Sequence, residues 1–226
     1  MTFDFINPAR RTAPSDRAVN PTVTPFHIVG FVPDDFDVPL THVCDGERLE
    51  PLSAALASED HAAISASVKR IRHLFGSHND WPPATLSDAE NRADIARHER
   101  AFAARQGFTF SLLGRTTGDY RGCFYIKRIK SRLDVDHRKR VFDAQAFLWL
   151  SESCYSVARD AEAARNLQDW LASAWPFRRV AWPGRDIASL DWQCAETDAE
   201  AAEGLARQAA GIASPSVHAE RSQKCR

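Results

Sequence analysis

The chain has 226 residues, a formal net charge of −1 and 44% hydrophobic residues. A chain of this length buries roughly 70% of its unfolded surface, so we expect a globular fold with its own core. The near-neutral net charge produces no overall electrostatic attraction to nucleic acid or anionic lipid. No apolar run approaches the roughly 20 residues needed to span a membrane. With no secretory signal pattern, the expected location is cytoplasmic, without a membrane partner.

Cysteine and histidine spacing indicates neither a disulfide framework nor a metal site. The five cysteines are odd in number and form no C-x-x-C pair, which favours reduced thiols. His73 and His78 lie five residues apart, outside the i, i+4 spacing of a helical metal pair. We therefore expect no metal.

The N-terminal part is irregular before the first regular elements. Residues 1–42 are rich in turn residues and predict an irregular arm, although the run 26–31 is compatible with an extra strand. Residues 48–52 predict a short first strand, whose proline is tolerated at a sheet edge.

Two helices and a hairpin follow in the sequence. The first helix is predicted over residues 59–75 with Ser58 as its N-cap, and the second begins at the capping box of Ser87 and Glu90. Alternating apolar residues then predict two hairpin strands, over residues 108–112 and 120–126.

A strand, an amphipathic helix and a second strand come next. Residues 142–150 are apolar on both faces, which predicts an interior strand. After a polar loop, the helix over residues 161–174 presents one apolar stripe and stops at Pro176, and residues 178–182 supply a short strand parallel to the first. Thr197 and Glu200 predict a capping box for a last helix ending near residue 210.

This order, with several local phrases, resembles the GNAT acetyltransferase fold. The phrases are His61 at the first helix, Asp80-Trp-Pro-Pro83, Gly122-Cys-Phe-Tyr-Ile126, Phe147-Leu-Trp149, Trp175-Pro-Phe177 and Pro183-Gly-Arg185. Together they look like a divergent bacterial GNAT-like subgroup. The resemblance implies an α/β (α+β) fold with a mixed, mostly antiparallel sheet and a splayed parallel strand pair, over residues 43–194. Residues 1–42 would form the arm, and 195–226 a C-terminal helix and loose tail.

The resemblance also implies acetyl-CoA as co-substrate and an amine, of a small molecule, as acceptor. The splayed strand would offer its backbone to the pantetheine, and the next helix its N-terminal amides to the pyrophosphate. The expected cofactor-binding residues are Leu148, Trp149, Leu150, Ser151, Ser153, Ser156 and Arg159. The expected substrate-binding residues are Trp81 and Tyr125.

Two departures from the family pattern leave an alternative open. No glycine lies between Trp149 and Leu167, where the family has its glycine-rich phosphate loop, and Asp160 would repel a phosphate at the helix start. No tyrosine follows the last strand to protonate the leaving thiolate. A catalytically inactive GNAT-fold binding or regulatory module is therefore the second interpretation.

For catalysis, we consider Glu152 as the general base, with Asp143 as another carboxylate in reach, and Tyr125 at the acceptor. Cys123 is more plausible as a small core residue than as a nucleophile. We expect Cys123 and Tyr125 to face opposite sides of their strand, so that one of them faces the cleft.

The basic cluster of residues 127–132 and 138–140 raises a third interpretation, contact with phosphate of RNA or of CoA. We favour a solvated turn, because Asp134 and Asp136 dilute the charge and no aromatic residues are interleaved. No nucleic-acid partner is therefore expected, and a homodimer is left open.

Overall fold

The computed structural model describes residues 30–210. These residues fold around one six-stranded sheet with the strand order β1-β2-β3-β4-β5-β6. All neighbouring strands are antiparallel except β5 and β6, which are parallel. The strands are β1 (His42–Cys44), β2 (Glu47–Pro51), β3 (Gly107–Gly114), β4 (Tyr120–Lys127), β5 (Ala144–Leu150) and β6 (Val180–Ala181).

Within the described part of the chain, six α-helices flank this sheet, and a 3-10 helix over Ala54–Leu56 precedes the first. The helices are α1 (Ala57–Ile71), α2 (Asp88–Ala103), α3 (Arg138–Val141), α4 (Val157–Ala174), α5 (Ser189–Thr197) and α6 (Ala199–Ala209). The apolar stripe of α4 packs on one face of the sheet, whereas α1 and α2 pack on the other. No helix of residues 30–210 is long and apolar enough to span a membrane.

Strand β5 is interior, as its two apolar faces predict. It pairs with β4 on one side and with β6 on the other. Leu148 and Leu150 point into the core under α4, and Phe147 and Trp149 into the core under α1 and α2. The α4 stripe and the two hairpin strands are confirmed as well.

Three predicted helix boundaries are wrong in detail. Ser58 lies inside α1, whose N-cap is Leu56, because the chain enters α1 directly from the 3-10 helix capped by Ser53. Helix α1 ends at Ile71, and His73 adopts a positive φ of 62°. The last helix is capped by Asp198 and not by Thr197, which ends the unpredicted α5. The Ser87–Glu90 capping box is confirmed.

The segment before β1 contributes to the core although it has no helix or strand between residues 30 and 41. The Phe31 ring stacks on Phe108, with 5.9 Å between centroids, and lies 5.1 Å from Phe177. Val32 is also buried. The predicted extra strand falls on residues 26–31; residue 30 onward forms a bend, and the rest lies outside the described residues.

The basic connection between β4 and β5 is not a simple solvated turn. It contains α3, and Arg138 is buried against Asp136 and Glu196, with Nη2–oxygen distances of 2.9 and 3.1 Å. Lys130, Arg132, Lys139 and Arg140 are exposed. Cys44, Cys123 and Cys154 are free thiols, but Cys194 is disulfide-bonded, so the expectation of reduced thiols fails there.

Candidate functional site

The parallel pair β5–β6 separates after a short contact. The two strands pair at only two positions, Ala144 with Val180 and Gln145 with Ala181. Beyond Gln145, the β6 side of β5 has no strand partner up to Leu150. Because the Trp149 carbonyl faces Gly122 on β4, alternation along the strand directs the carbonyls of Leu148 and Leu150 to the open side.

Arginine side chains occupy both carbonyls of this open edge. Arg185 Nη2 donates to the Leu148 carbonyl at 3.1 Å, and Arg70 Nη2 donates a short hydrogen bond to the Leu150 carbonyl. Each carbonyl oxygen has a second lone pair, so neither hydrogen bond excludes another donor. Arg185 belongs to the Pro183-Gly-Arg185 phrase, but its contact with β5 was not predicted.

Helix α4 starts just beyond the open edge. Ser156 is its N-cap, and the Ser156 hydroxyl accepts from the Arg159 amide at 3.2 Å. Asp160 lies in the first turn of α4, where its charge would repel a phosphate. However, Arg185 donates hydrogen bonds to both carboxylate oxygens of Asp160, at 2.6 and 2.8 Å. This ion pair offsets the repulsion that an isolated Asp160 would exert on a phosphate.

Arg159, the expected pyrophosphate ligand, is only partly free. Its Nη2 lies 3.3 Å from the Glu47 carboxylate on β2. Arg121 also approaches Glu47, at 3.8 Å. Burial raises the pKa of Glu47, and the two guanidinium groups act in the opposite direction. Two guanidinium groups thus share the charge of Glu47, so the guanidinium of Arg159 can also bind a second anion.

The loop between β5 and α4 is held by its own polar contacts. The Ser151 and Ser153 hydroxyls lie 3.0 Å apart, and Ser151 is buried. Glu152 is mostly exposed and pairs with Arg70 at 3.0 Å, while its amide donates to the Ser67 hydroxyl on α1. This geometry favours an anchoring role for Glu152, and its proposed role as a base remains untested.

A cleft of about 920 Å³ opens on the other face of the sheet, between α2, the α1–α2 connection and the end of β4. We call it the aromatic cleft, and it is defined by Phe75, Trp81, His98, Tyr125, Lys127 and Phe147. Phe75 contacts Trp81, Tyr125 and Phe147 at centroid distances of 5.0–5.1 Å. The two expected substrate-binding residues, Trp81 and Tyr125, therefore line one cleft.

Trp149 supports this cleft from behind and does not line it. Its indole Nε1 donates to the Tyr125 hydroxyl at 3.1 Å, and its ring lies 6.5 Å from Trp81. Cys123 and Tyr125 face the same side of β4, so the expectation of opposite faces is wrong, because residues two apart in a strand share a face. Cys123 is buried beside Tyr120 and Asp60, consistent with a core residue.

Lys127 belongs to the basic cluster of residues 127–132 and was not assigned to this cleft from the sequence. It follows Tyr125 by two positions on β4, so strand alternation could have found it. Its ammonium lies 3.5 Å from the Phe75 ring centroid and 4.8 Å from that of Tyr125. Within residues 30–210 the Lys127 ammonium forms no hydrogen bond or ion pair. Desolvation by burial lowers the pKa of Lys127 to about 7, against the opposing attraction of Asp94.

His98 on α2 lies near Lys127 and also lines the cleft. Its Nδ1 shares a hydrogen bond with the Thr109 hydroxyl at 2.8 Å, and its Nε2 lies 3.6 Å from Asp94. Burial lowers the pKa of His98 to about 4, although Asp94 acts in the opposite direction. Tyr125 is also fully buried, which raises its pKa well above the usual value and keeps the phenol protonated.

Asp143, the other carboxylate considered, is engaged in structure. Its Oδ2 accepts from the amides of Arg178 and Arg179, at 2.7 and 3.2 Å, at the start of the β6 strand. A second cavity of about 600 Å³ lies between the C-terminal half of α4 and α6, lined by Leu171, Trp182 and Leu205. It is remote from the start of α4.

Solved structures with a similar course of the chain are described as acetyltransferases. RimL, a ribosomal L7/L12 α-N-protein acetyltransferase in complex with coenzyme A, is 14% identical over 58% of this chain and 66% of its own, with a TM-score of 0.44. A putative GnaT-family acetyltransferase from Bordetella pertussis is 16% identical over 64% and 78%, with a TM-score of 0.48. A Salmonella typhimurium acetyltransferase that modifies the N-terminal serine of L7/L12 is 13% identical over 74% and 81%, with a TM-score of 0.46.

The sheet has the architecture expected from the resemblance to the GNAT fold. The chain has the expected order of elements and a mixed sheet in which one parallel pair splays apart. No protein-family model and no curated protein matches the chain. At identities below 25% and TM-scores below 0.5, these likenesses support no conclusion about this chain, and the substrates named for those proteins belong to them. The chain spans just under two thirds of the RimL chain.

Proposed function

We propose that this protein is an acetyl-CoA-dependent N-acetyltransferase that acts on a small-molecule amine. The observation that carries the proposal is the open edge of β5 from Ala146 to Leu150, which leads directly into the N-terminus of α4. An extended pantetheine amide can add to such an edge as a strand does. The first-turn amides of α4 and Arg159 are the groups available to a pyrophosphate.

The chain fits acetyl-CoA in part. Ser151, Ser153 and Ser156 supply hydroxyls along the loop, and Asp160 is neutralised by Arg185. Against this, no glycine permits close backbone approach, and arginines already contact the carbonyls of Leu148 and Leu150. The expected affinity is therefore weaker than a glycine-rich loop would give.

Acetyl transfer would take place where the open edge meets the aromatic cleft. The amine nitrogen forms a bond to the acetyl carbon, the carbon–sulfur bond breaks, the amine loses a proton and the thiolate gains one. Tyr125 is the phenol that lines the cleft, and its raised pKa keeps the hydroxyl protonated. It can therefore donate a hydrogen bond to the departing thiolate, which takes its proton from solvent. A neutral amine is required for attack, so the rate should rise toward alkaline pH.

The test measures acetyl-CoA binding by calorimetry and thiol release across a panel of small amines, for the parent and for Arg159→Glu. Charge reversal at Arg159 should weaken acetyl-CoA binding several-fold, because a carboxylate would face the pyrophosphate. Arg165→Glu, on the exposed side of α4 away from its start, is the matched control and should bind as the parent does. Equal binding by Arg159→Glu would remove the pyrophosphate contact from the proposal.

A non-catalytic GNAT-fold module is the second candidate. The two arginines on the open edge favour it, because they satisfy internally the carbonyls that a pantetheine would use. Absence of acetyl-CoA binding, together with no amine-dependent thiol release at any pH, would select this candidate. Tyr125→Phe separates the cases further: it should slow thiol release in a catalyst without changing acetyl-CoA affinity.

A further inference from the structure

The aromatic cleft combines apolar walls with an excess of positive charge. Six cationic side chains line it, against two carboxylates, Asp94 and Glu196. Both carboxylates are already paired, Asp94 with Arg97 and Glu196 with Arg138. The cleft is therefore locally basic in a protein whose net charge is −1.

Three further cations of the cleft lining follow Lys127 along the chain, namely Arg128, Lys130 and Arg132. Arg128 lies over the Phe31 ring at 5.2 Å, and none of these three forms an ion pair within residues 30–210. The Lys127 ammonium sits deeper, among the rings of Phe75 and Tyr125.

An ammonium without a hydrogen-bond acceptor in such surroundings is costly. The ring contacts offset part of this cost, but no acceptor within residues 30–210 satisfies the three N–H donors. An anionic oxygen that enters the cleft from solvent would satisfy these donors, with the rest of the ligand against Phe75, Trp81 and Phe147.

We infer that the aromatic cleft binds a ligand that joins an apolar body to a carboxylate or phosphate, and that Lys127 forms the ion pair with the anion. If the protein transfers acetyl groups as proposed, the acceptor is an amine that also carries an anionic group, and this part of the inference rests on the proposed function. As a statement about binding, the inference stands without acetyl-CoA.

The probes are 3-phenylpropanoate and its uncharged counterpart 3-phenylpropanamide, with phenyl phosphate to distinguish a phosphate from a carboxylate site. In calorimetry at pH 6.5, the carboxylate or the phosphate should bind at least about tenfold more tightly than the amide. The tighter of the two anions identifies the natural head group. Equal affinity of the amide, or no binding of any probe, would overturn the inference.

Lys127→Met tests the assigned residue, because methionine fills the aromatic surroundings without a charge. It should abolish the preference for the anion while retaining the amide affinity. Lys69→Met, an exposed lysine on α1 outside the cleft, is the matched control and should keep the preference. If Lys127→Met still prefers the anion, the anion binds Arg128, Lys130 or Arg132 instead, and the assigned role of Lys127 is wrong.

The pH dependence gives a second readout. Anion binding favours charged Lys127, so affinity for 3-phenylpropanoate should fall as the pH rises from 6 to 8.5 in the parent and stay flat in Lys127→Met. The charged or titratable groups around Lys127 are Asp94, Arg97 and His98 on α2, Cys123 and Tyr125 on β4, Lys130 beyond β4, and His78 on the α1–α2 connection. His78→Gln should retain the parent's pH profile; a flat profile there would assign it to His78.

These outcomes are independent of acetyl-CoA binding. If the anion preference appears but acetyl-CoA does not bind, the cleft assignment stands and the proposed acetyl transfer fails. If acetyl-CoA binds but 3-phenylpropanoate and phenyl phosphate show no advantage over the amide, the acetyl transfer stands and the acceptor class is wrong.

Discussion

Burial decides the protonation of individual residues in the aromatic cleft more than neighbouring charge does. For both His98 and Lys127, desolvation is the largest cause of a lowered pKa, although Asp94 lies near both and acts in the opposite direction. At pH 7, His98 is therefore neutral, and Lys127, with a pKa of about 7, changes its charge in the neutral pH range. Histidine and lysine are usually surface residues. Their lowered pKa values here come from the positions of His98 on α2 and of Lys127 at the end of β4.

His98 should make the protein acid-sensitive. Its pKa is about 4 in the fold against a reference of 6.5, so the unfolded chain binds more protons between these values. The stabilisation is complete above pH 6.5 and is lost as the pH falls toward 4. From pH 7 to pH 5, His98 should account for a loss of about 2 kcal/mol in the free energy of unfolding.

Urea unfolding at pH 7 and pH 5 measures this loss in the parent and in His98→Gln, which removes the titration but keeps a hydrogen-bonding side chain near Thr109. The variant should lose about 2 kcal/mol less than the parent. His78→Gln, at an exposed site, should behave as the parent does. Identical pH dependence in all three proteins would show that His98 is not held neutral.

At the scale of elements, the β4–β5 pair positions both halves of the site. It carries Tyr125 and Lys127 toward the cleft and the Leu148 and Leu150 carbonyls toward α4. Close approach of the two strands depends on Gly122, which has a φ of 147°. A Cβ built there would lie 2.0 Å from the Trp149 carbonyl oxygen, which is far inside contact distance.

Gly122→Ala should therefore separate the two strands and destabilise the protein by more than about 3 kcal/mol. Gly107→Ala is the matched control in the same sheet, because a Cβ there meets only the Ile126 carbonyl at 3.6 Å. It should change stability by less than about 1 kcal/mol. Thermal and urea unfolding provide the comparison, and equal stability of the two variants would contradict the assigned role of Gly122.

At the scale of the whole molecule, the segment before β1 is part of the main core. Phe31 packs against β3 and the segment after α4, so one ring cluster on the α4 face of the sheet joins these three parts of the chain. Arg105 Nη2 also donates to the carbonyls of Pro33 and Phe36, both at 2.7 Å. A segment without helix or strand is thereby held by packing and side-chain hydrogen bonds.

Phe31→Ala should cost about 3–5 kcal/mol, the usual loss for a buried phenylalanine. Leu40→Ala, in the same segment but 58% exposed, should cost less than about 1 kcal/mol. Chemical denaturation at one pH gives both values. A cost for Phe31→Ala as small as that for Leu40→Ala would mean that the segment is only loosely attached.

The sequence by itself determined the elements whose signals are local. Two apolar faces identified β5 as interior, one apolar stripe identified the α4 helix, and the Ser87–Glu90 box marked the start of α2. Each signal lies within a few residues of the element that it predicts, so no distant contact is needed to read it. Ser58 and Thr197 failed because a 3-10 helix and the unpredicted α5 occupied the positions where a helix start was expected.

Only the tertiary structure decided which side chains meet at the site. Arg185 reaches the Leu148 carbonyl across 37 residues, and Arg70 reaches the Leu150 carbonyl across 80. Lys127 acquires its aromatic surroundings from Phe75, which lies beyond the end of α1 instead of inside the helix. Such contacts depend on how the crossover and the α1–α2 connection pack against the sheet, and residue spacing carries no information about that packing.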